Sequence, residues 1–397
     1  MNKILVIGCT EITKVIIPYL SSDPVRVNEI CIASKEKEEC DELKKKYKDS
    51  PVKIITAGVD VTNEEKALLM MRIFGPTLIV NLAPSYLNKT VMNIALKIGA
   101  SYIDSAYYSD ESGRQCLIEE QFEMSSQFFA KKLSCVTGCS FDLAAYVSLA
   151  RLGAKSLPVG ALESVDIVDI TTTDEEKNNK TPSINDIRRL SEPLRYIENG
   201  EFMTAQALSI PAKFTMNDYS TDVDCFDHKL LDAIKRGMPE AKNVCYFSQV
   251  DESFAYLVRT LDSIGMLSKE AVEVNGASIA PIDYLEAVIP SERKVSEGRS
   301  RAFKGVVLNS SSDNASVLAG FECKTWDQPS KYEVSSDAFF NGIAILAGTL
   351  LLGDQKWSAP GVFTPGDFEP DELIGKMKEL GLKYIEETGK SPLEILA

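Results

Sequence analysis

The apolar run Ile4–Ile7 is unbroken and ends at Gly8. Such a run predicts a central parallel strand buried on both faces. From Glu11 to Leu20 the period changes, with Ile12, Val15, Ile16 and Tyr19 on one side of a predicted helix. The alternation then repeats. Strands are expected at Asn28–Ala33, Val52–Ile55, Thr77–Asn81, Ser101–Asp104 and Ser134–Thr137. Helices are expected between them at Glu38–Tyr47, Asn63–Phe74 and Asn88–Ile98. Strands alternating with helices at this pitch predict a doubly wound parallel sheet.

Past about Ala144 the texture differs. A helix Phe141–Leu152 leads into Glu163–Ile170, where apolar and polar residues alternate as in a half-exposed antiparallel strand. Asp174–Pro182 reads as a polar loop. Further strands are expected at Glu201–Ile210, Asn243–Val250, Arg301–Asn309 and Ala315–Thr325. Further helices are expected at Cys225–Lys235, Phe254–Ile264, Pro281–Val288 and Ser335–Leu352. The predicted class is α/β: an N-terminal Rossmann doubly wound parallel sheet over 1–143, then a second α+β domain over 144–334. Segment 335–397 is expected to pack back on the first domain.

A strand, a tight turn and a helix at the start of such a sheet form the phosphate-binding corner of a dinucleotide domain. The glycine fingerprint G-x-G-x-x-G is reduced to Gly8, with Thr10 and Thr13 at the other two positions. Two readings follow: a reshaped turn that still accepts a pyrophosphate, or a turn that only packs. At the end of the second strand stand Ser34 and Lys35. A basic residue there suits the 2′-phosphate of NADP, where an acidic one would suit NAD. The competing reading is a solvated loop. Asn81, Asp104 and Ser140 fall at carboxyl ends of predicted strands, where open α/β sheets bind ligands.

Composition narrows the field. The 397 residues suffice for two or three domains, and 44% hydrophobic with 25% charged residues is ordinary globular composition. Lys+Arg 43 against Asp+Glu 58 leaves a net charge of −15, which argues against nucleic-acid and anionic-membrane partners. No charge-free apolar stretch reaches about 18 residues, so no membrane span is expected. Lys3 runs straight into the first strand, so no secretory signal is expected either. Nine cysteines without paired spacing then read as reduced thiols of a cytoplasmic protein. With no C-x-x-C and a single histidine, His228, no metal site is expected.

Several stretches together resemble the saccharopine dehydrogenase family, in particular its carboxynorspermidine (carboxyspermidine) dehydrogenase branch. They are Val80–Tyr86, Ala100–Tyr107, Gly138–Asp142, Leu194–Phe202, Phe226–His228, Leu261–Met266, Ile279–Pro290 and Gly353–Phe363. The family's D-P-G is Asp142-Leu143-Ala144 here, and its Lys-Gly-Lys-Thr is Glu297-Gly298-Arg299-Ser300. The resemblance implies NADP-dependent reduction of the imine formed by a semialdehyde and a primary amine, as in polyamine biosynthesis. It also implies a homodimer. The alternative is an inactive paralogue that acts as a binding or partner subunit.

On this reading Gly8, Thr10, Glu11 and Ile12 hold the pyrophosphate. Ser34, Lys35, Asp60 and Val61 lie near the adenosine. Asn81 and Ser105 contact ribose or phosphate, Ala83, Pro84 and Ala106 lie in the same cofactor-side segments, and Tyr107 walls the nicotinamide. Candidate catalytic residues are Asp142, His228 and Arg299. Each has a plain counterpart: a helix cap for Asp142, a structural helix histidine for His228, a solvated loop charge for Arg299.

Overall fold

The computed structural model of the protein describes residues 3–111, 115–173, 184–217, 219–289, 300–312, 315–324 and 334–396. The chain divides into two compact units, one of residues 1–152 and 327–383, the other of 153–326 and 384–397.

The first unit opens with β1 (Lys3–Ile7), α1 (Glu11–Ser21), β2 (Glu29–Ser34), α2 (Lys37–Lys45) and β3 (Lys53–Gly58). It continues with α3 (Glu64–Phe74), β4 (Leu78–Asn81), α4 (Asn88–Ile98), β5 (Ser101–Asp104) and β6 (Ser134–Val136). The strands lie in the order β3-β2-β1-β4-β5-β6, with Gly361–Phe363 added beyond β6. All neighbours are parallel. The order reverses between β1 and β4, and that switch point is where ligands enter open α/β sheets. Ile4, Leu5 and Val6 are fully buried, as a central strand covered on both faces requires. Asn63 caps α3 by accepting the Lys66 amide at 3.2 Å. The helix Ser336–Gly353 returns to this unit and buries Phe339, Phe340, Ile343 and Leu346 in its core.

The second unit is built on a ten-stranded sheet. Its central strand Leu162–Thr173 pairs antiparallel with Ser300–Ser310 and parallel with Asn243–Gln249. One face of the sheet carries Val168, Ile170, Phe214, Phe247, Phe303 and Val307 as a single core. The last strand, Leu393–Ile395, pairs with Pro211–Met216, so the chain end lies in this sheet.

Three expectations change. Glu163–Ile170 is not a half-exposed strand, because Val165, Asp166, Ile167 and Val168 are all buried. The helix expected over Cys225–Lys235 is shorter: Cys225 ends the strand Tyr219–Cys225, and the helix runs over Leu230–Gly237. Glu201–Ile210 is a strand only as far as Ala205. The expected loop Asp174–Pro182 lies outside the described residues.

Candidate active site

The turn after β1 is closed by Thr13 in place of glycine. Its hydroxyl donates to the Gly8 carbonyl at 2.7 Å and accepts the Thr10 amide at 3.1 Å. Thr13 is fully buried beneath the turn, while Thr10 is exposed at the N-cap of α1. The Thr10 hydroxyl lies 3.5 Å from the Thr13 hydroxyl, turned toward the first turn of α1. Gly8 sits at φ +104°, and a Cβ there would come within 2.9 Å of the Leu82 carbonyl oxygen. The β1 and β4 exits thus approach as closely as only glycine permits. The first-turn amides of α1 have no helical acceptors and form the positive end of the helix dipole. Ile12 is half-buried in that turn. The Glu11 carboxylate accepts from the Ser335 hydroxyl at 2.8 Å, which ties its charge to the cap of helix Ser336–Gly353.

At the ends of β2 and β3, the exposed Lys35 lies 3.8 Å from Asp60. Asp60 also accepts from the Thr62 hydroxyl at 2.6 Å and the Thr62 amide at 3.0 Å. Those two bonds, with Lys35 nearby, hold the Asp60 carboxyl below the usual range. Ser34 is half-buried, and its carbonyl accepts the Val59 amide. Val61 is buried and belongs to the core beneath this corner.

Beyond β4 and β5 lies a buried polar network. Asn81 donates to Asn88 Oδ1 and to the Tyr102 hydroxyl, each at 2.9 Å, and accepts the Ala83 amide at 3.2 Å. Tyr102 in turn donates to Asp104 at 2.9 Å. Gln121 Nε2 and the Gly138 amide also donate to Asp104, at 3.0 and 2.7 Å. Burial pushes the Asp104 carboxyl up to about 7, although these bonds pull the other way. Asn88 donates to the Ala106 carbonyl at 2.7 Å, fixing the segment that holds the half-buried Ser105. Pro84 is exposed and starts a short 3-10 turn. The Tyr107 ring is buried over Gly138, where a Cβ would meet it at 2.2 Å.

Asp142 lies in a π-helical turn, Phe141–Ala145, of the kind often found at functional sites. Asn341 of helix Ser336–Gly353 donates to its Oδ2 at 2.9 Å. All these residues belong to the first unit.

His228 belongs to the second unit and precedes its helix. Its Nδ1 accepts the Leu230 amide at 3.1 Å, so in the neutral ring the proton sits on Nε2. The ring stacks on Tyr246 at 4.3 Å and 13°. The Tyr246 hydroxyl donates to Asp169 at 2.8 Å, and the buried Lys304 ion-pairs with Asp169 at 3.0 Å. Arg299 lies outside the described residues. Among the described residues, no group of three or more His, Cys, Asp or Glu side chains is placed to hold a metal ion.

Sequence reasoning read Thr13 only as a lost glycine and did not find Asn341 or Gln121. Thr13 had a signal, since Thr at the third helical position can bond back to the cap. Asn341 had none, being 199 residues from Asp142.

Strand order, switch point and glycine corner define a dinucleotide-binding domain of Rossmann type. Residues 4–136 match the family model described as Saccharopine dehydrogenase NADP binding domain. Over its whole length the chain is similar to carboxyaminopropylagmatine dehydrogenase of Synechocystis sp., at 24% identity covering 97% of this chain and 98% of the relative. Carboxynorspermidine synthase of Vibrio cholerae is 21% identical, covering 96% of each chain. The apo structure of saccharopine dehydrogenase (L-Glu forming) from Saccharomyces cerevisiae shares the fold. It has a TM-score of 0.74 at 16% identity and covers 98% of this chain and 100% of that one.

Proposed function

We propose that the protein is an NADP-dependent oxidoreductase that reduces the imine of a semialdehyde and a primary amine, of the carboxynorspermidine or saccharopine type. The observation that carries this is the corner at Gly8: the one retained glycine lies against Leu82, and Thr13 is folded under the turn, bonded to the Gly8 carbonyl. These residues fit a pyrophosphate over the first turn of α1. Two full-length relatives named as a dehydrogenase and a synthase support the chemistry.

NADPH, when bound, supplies the hydride. The protein's share is binding, orientation and charge. Gly8 and the α1 amides receive the phosphates, and Lys35 receives the 2′-phosphate. Asp142 meets the cationic nitrogen of the substrate, for which a carboxylate is the complementary charge. His228 presents an Nε2–H donor. Arg299 grips a substrate carboxylate with its planar fork. A homodimer belongs to the same reading. It is supported by exposed Tyr256, Ile264, Tyr284 and Val288 in the second unit and is checked by light scattering. A monomer at every concentration would remove it.

NADPH oxidation is the assay, with aspartate semialdehyde and a panel of diamines and agmatine. Turnover with one amine and its loss in Asp142→Asn support the reading. No turnover despite bound NADPH would redirect the substrate, and no NADPH binding would leave a silent paralogue. Reversing the charge of Lys35 is expected to weaken NADPH binding about tenfold or more, since a charge-assisted phosphate contact becomes a repulsive one. Lys35→Glu should leave NADH binding within about twofold on the same argument. Parallel fluorescence titrations read both, and equal losses for the two cofactors would contradict the assignment.

A further inference from the structure

Asn341 makes three bonds with one amide. Its Oδ1 accepts the Phe141 amide at 2.9 Å and the Asp142 amide at 3.3 Å. Its Nδ2 donates to Asp142 Oδ2 at 2.9 Å. Backbone N–H groups only donate, so the atom facing them is the oxygen and the amide orientation is fixed. The two amides are first-turn groups with no helical acceptor of their own. The turn they open is irregular, with both the Ala144 and Ala145 amides directed at the Ser140 carbonyl. One side chain therefore clamps the backbone of the π-turn and one carboxylate oxygen together.

Asn341 is itself held. It sits on helix Ser336–Gly353, flanked in sequence by buried Phe340 and Gly342. Phe340 packs edge-on against Phe141, with ring centroids 4.7 Å apart. The start of the helix is capped by Ser335, whose hydroxyl also bonds Glu11 in the dinucleotide turn. The bar that carries Asn341 is thus anchored at the corner that receives phosphate.

We propose that Asn341 is the positioning residue of Asp142, setting the direction from which its carboxylate meets the substrate nitrogen. This rests on the reading above that Asp142 meets substrate. A cap alone would need only the Oδ1 half of the amide. The Nδ2 half has no backbone role, and it is the half that reaches the carboxylate.

Three variants test this. In Asn341→Asp two carboxylates come within hydrogen-bond distance and must share a proton. Its kcat/KM is expected to fall about a hundredfold, with the acid limb of the pH profile displaced upward by about one pH unit. NADPH affinity should stay within about twofold, because the phosphate corner is untouched. The second variant is the swap D142N/N341D, which rebuilds the donor–acceptor pair with the charge on the other side. It should recover the melting temperature lost in Asn341→Asp and recover no turnover. A swap that restores turnover, or an Asn341→Asp enzyme with the wild-type pH profile, overturns the proposal.

The third variant, Asn341→Ala, needs no activity. Titration of carbon-13-labelled Asp142 by NMR should move to higher pH when the donor is gone. An unchanged titration overturns the positioning role. Absent turnover in the wild type would instead count against the proposed reaction.

Discussion

Gly8→Ala is expected to abolish NADPH binding and to destabilise the protein by roughly 3 kcal/mol, the cost of backbone strain plus a backbone clash. Two independent causes act at this position. The backbone lies at φ +104°, where a side chain is strained whatever the space. The added Cβ also falls 2.9 Å from the Leu82 oxygen and 3.0 Å from its carbonyl carbon. Neither atom is a flexible side-chain end, so β1 and β4 must part at the switch point. Gly99→Ala is the matched control. Its φ is +75° but nothing lies within 4 Å of the new Cβ. It should cost only about 1 kcal/mol and leave cofactor binding unchanged. Thermal melts and cofactor titrations of both variants check this. Equal behaviour of the two would remove Leu82 from the explanation.

The second large effect is on the pH dependence of stability. The Asp104 carboxyl rises from 3.8 to about 7 on folding, driven by burial. The folded state therefore keeps a proton that the unfolded chain releases. Its contribution is fully present below about pH 4 and is lost as pH rises to about 7, on the order of 4 kcal/mol in all. Asp166 in the second unit is raised to about 7 by the same cause and adds to the same window. Asp104→Asn cannot titrate and should flatten the Asp104 share of the slope. It should also be less stable at pH 5, because its amide N–H₂ confronts the Gln121 N–H₂ that donates to Asp104 Oδ2. Urea unfolding at pH 5 and pH 8 reads both effects. Parallel losses at the two pH values would contradict the burial of a protonated Asp104.

The parallel sheet was legible because its strands are short apolar runs with no alternation, and such runs suit strands covered on both faces. Ile4–Ile7 and Leu78–Val80 are of this kind. The second unit misled where polar residues are buried. Asp166 and Asp169 made Glu163–Ile170 look half-exposed. Asp166 is instead satisfied by Ser164 and Asn309, each at 3.0 Å, and Asp169 by Lys304 and Tyr246. Asn309, Lys304 and Tyr246 come from other strands and leave no local trace. His228 was placed on a helix expected to begin at Cys225, whereas Cys225 ends a strand and the helix begins only at Leu230. At the dinucleotide corner the sequence showed two lost glycines, and only the Thr13 hydrogen bonds explain how the turn closes without them.

The central claim is that the Gly8 corner still admits a dinucleotide carrying a 2′-phosphate. The direct measurement is a fluorescence titration of the wild-type protein with NADPH and with NADH, repeated with Gly8→Ala. Saturable NADPH binding in the micromolar range is expected, with weaker NADH binding, and neither with Gly8→Ala. No NADPH binding by the wild type up to about 1 mM, or undiminished binding by Gly8→Ala, would contradict it.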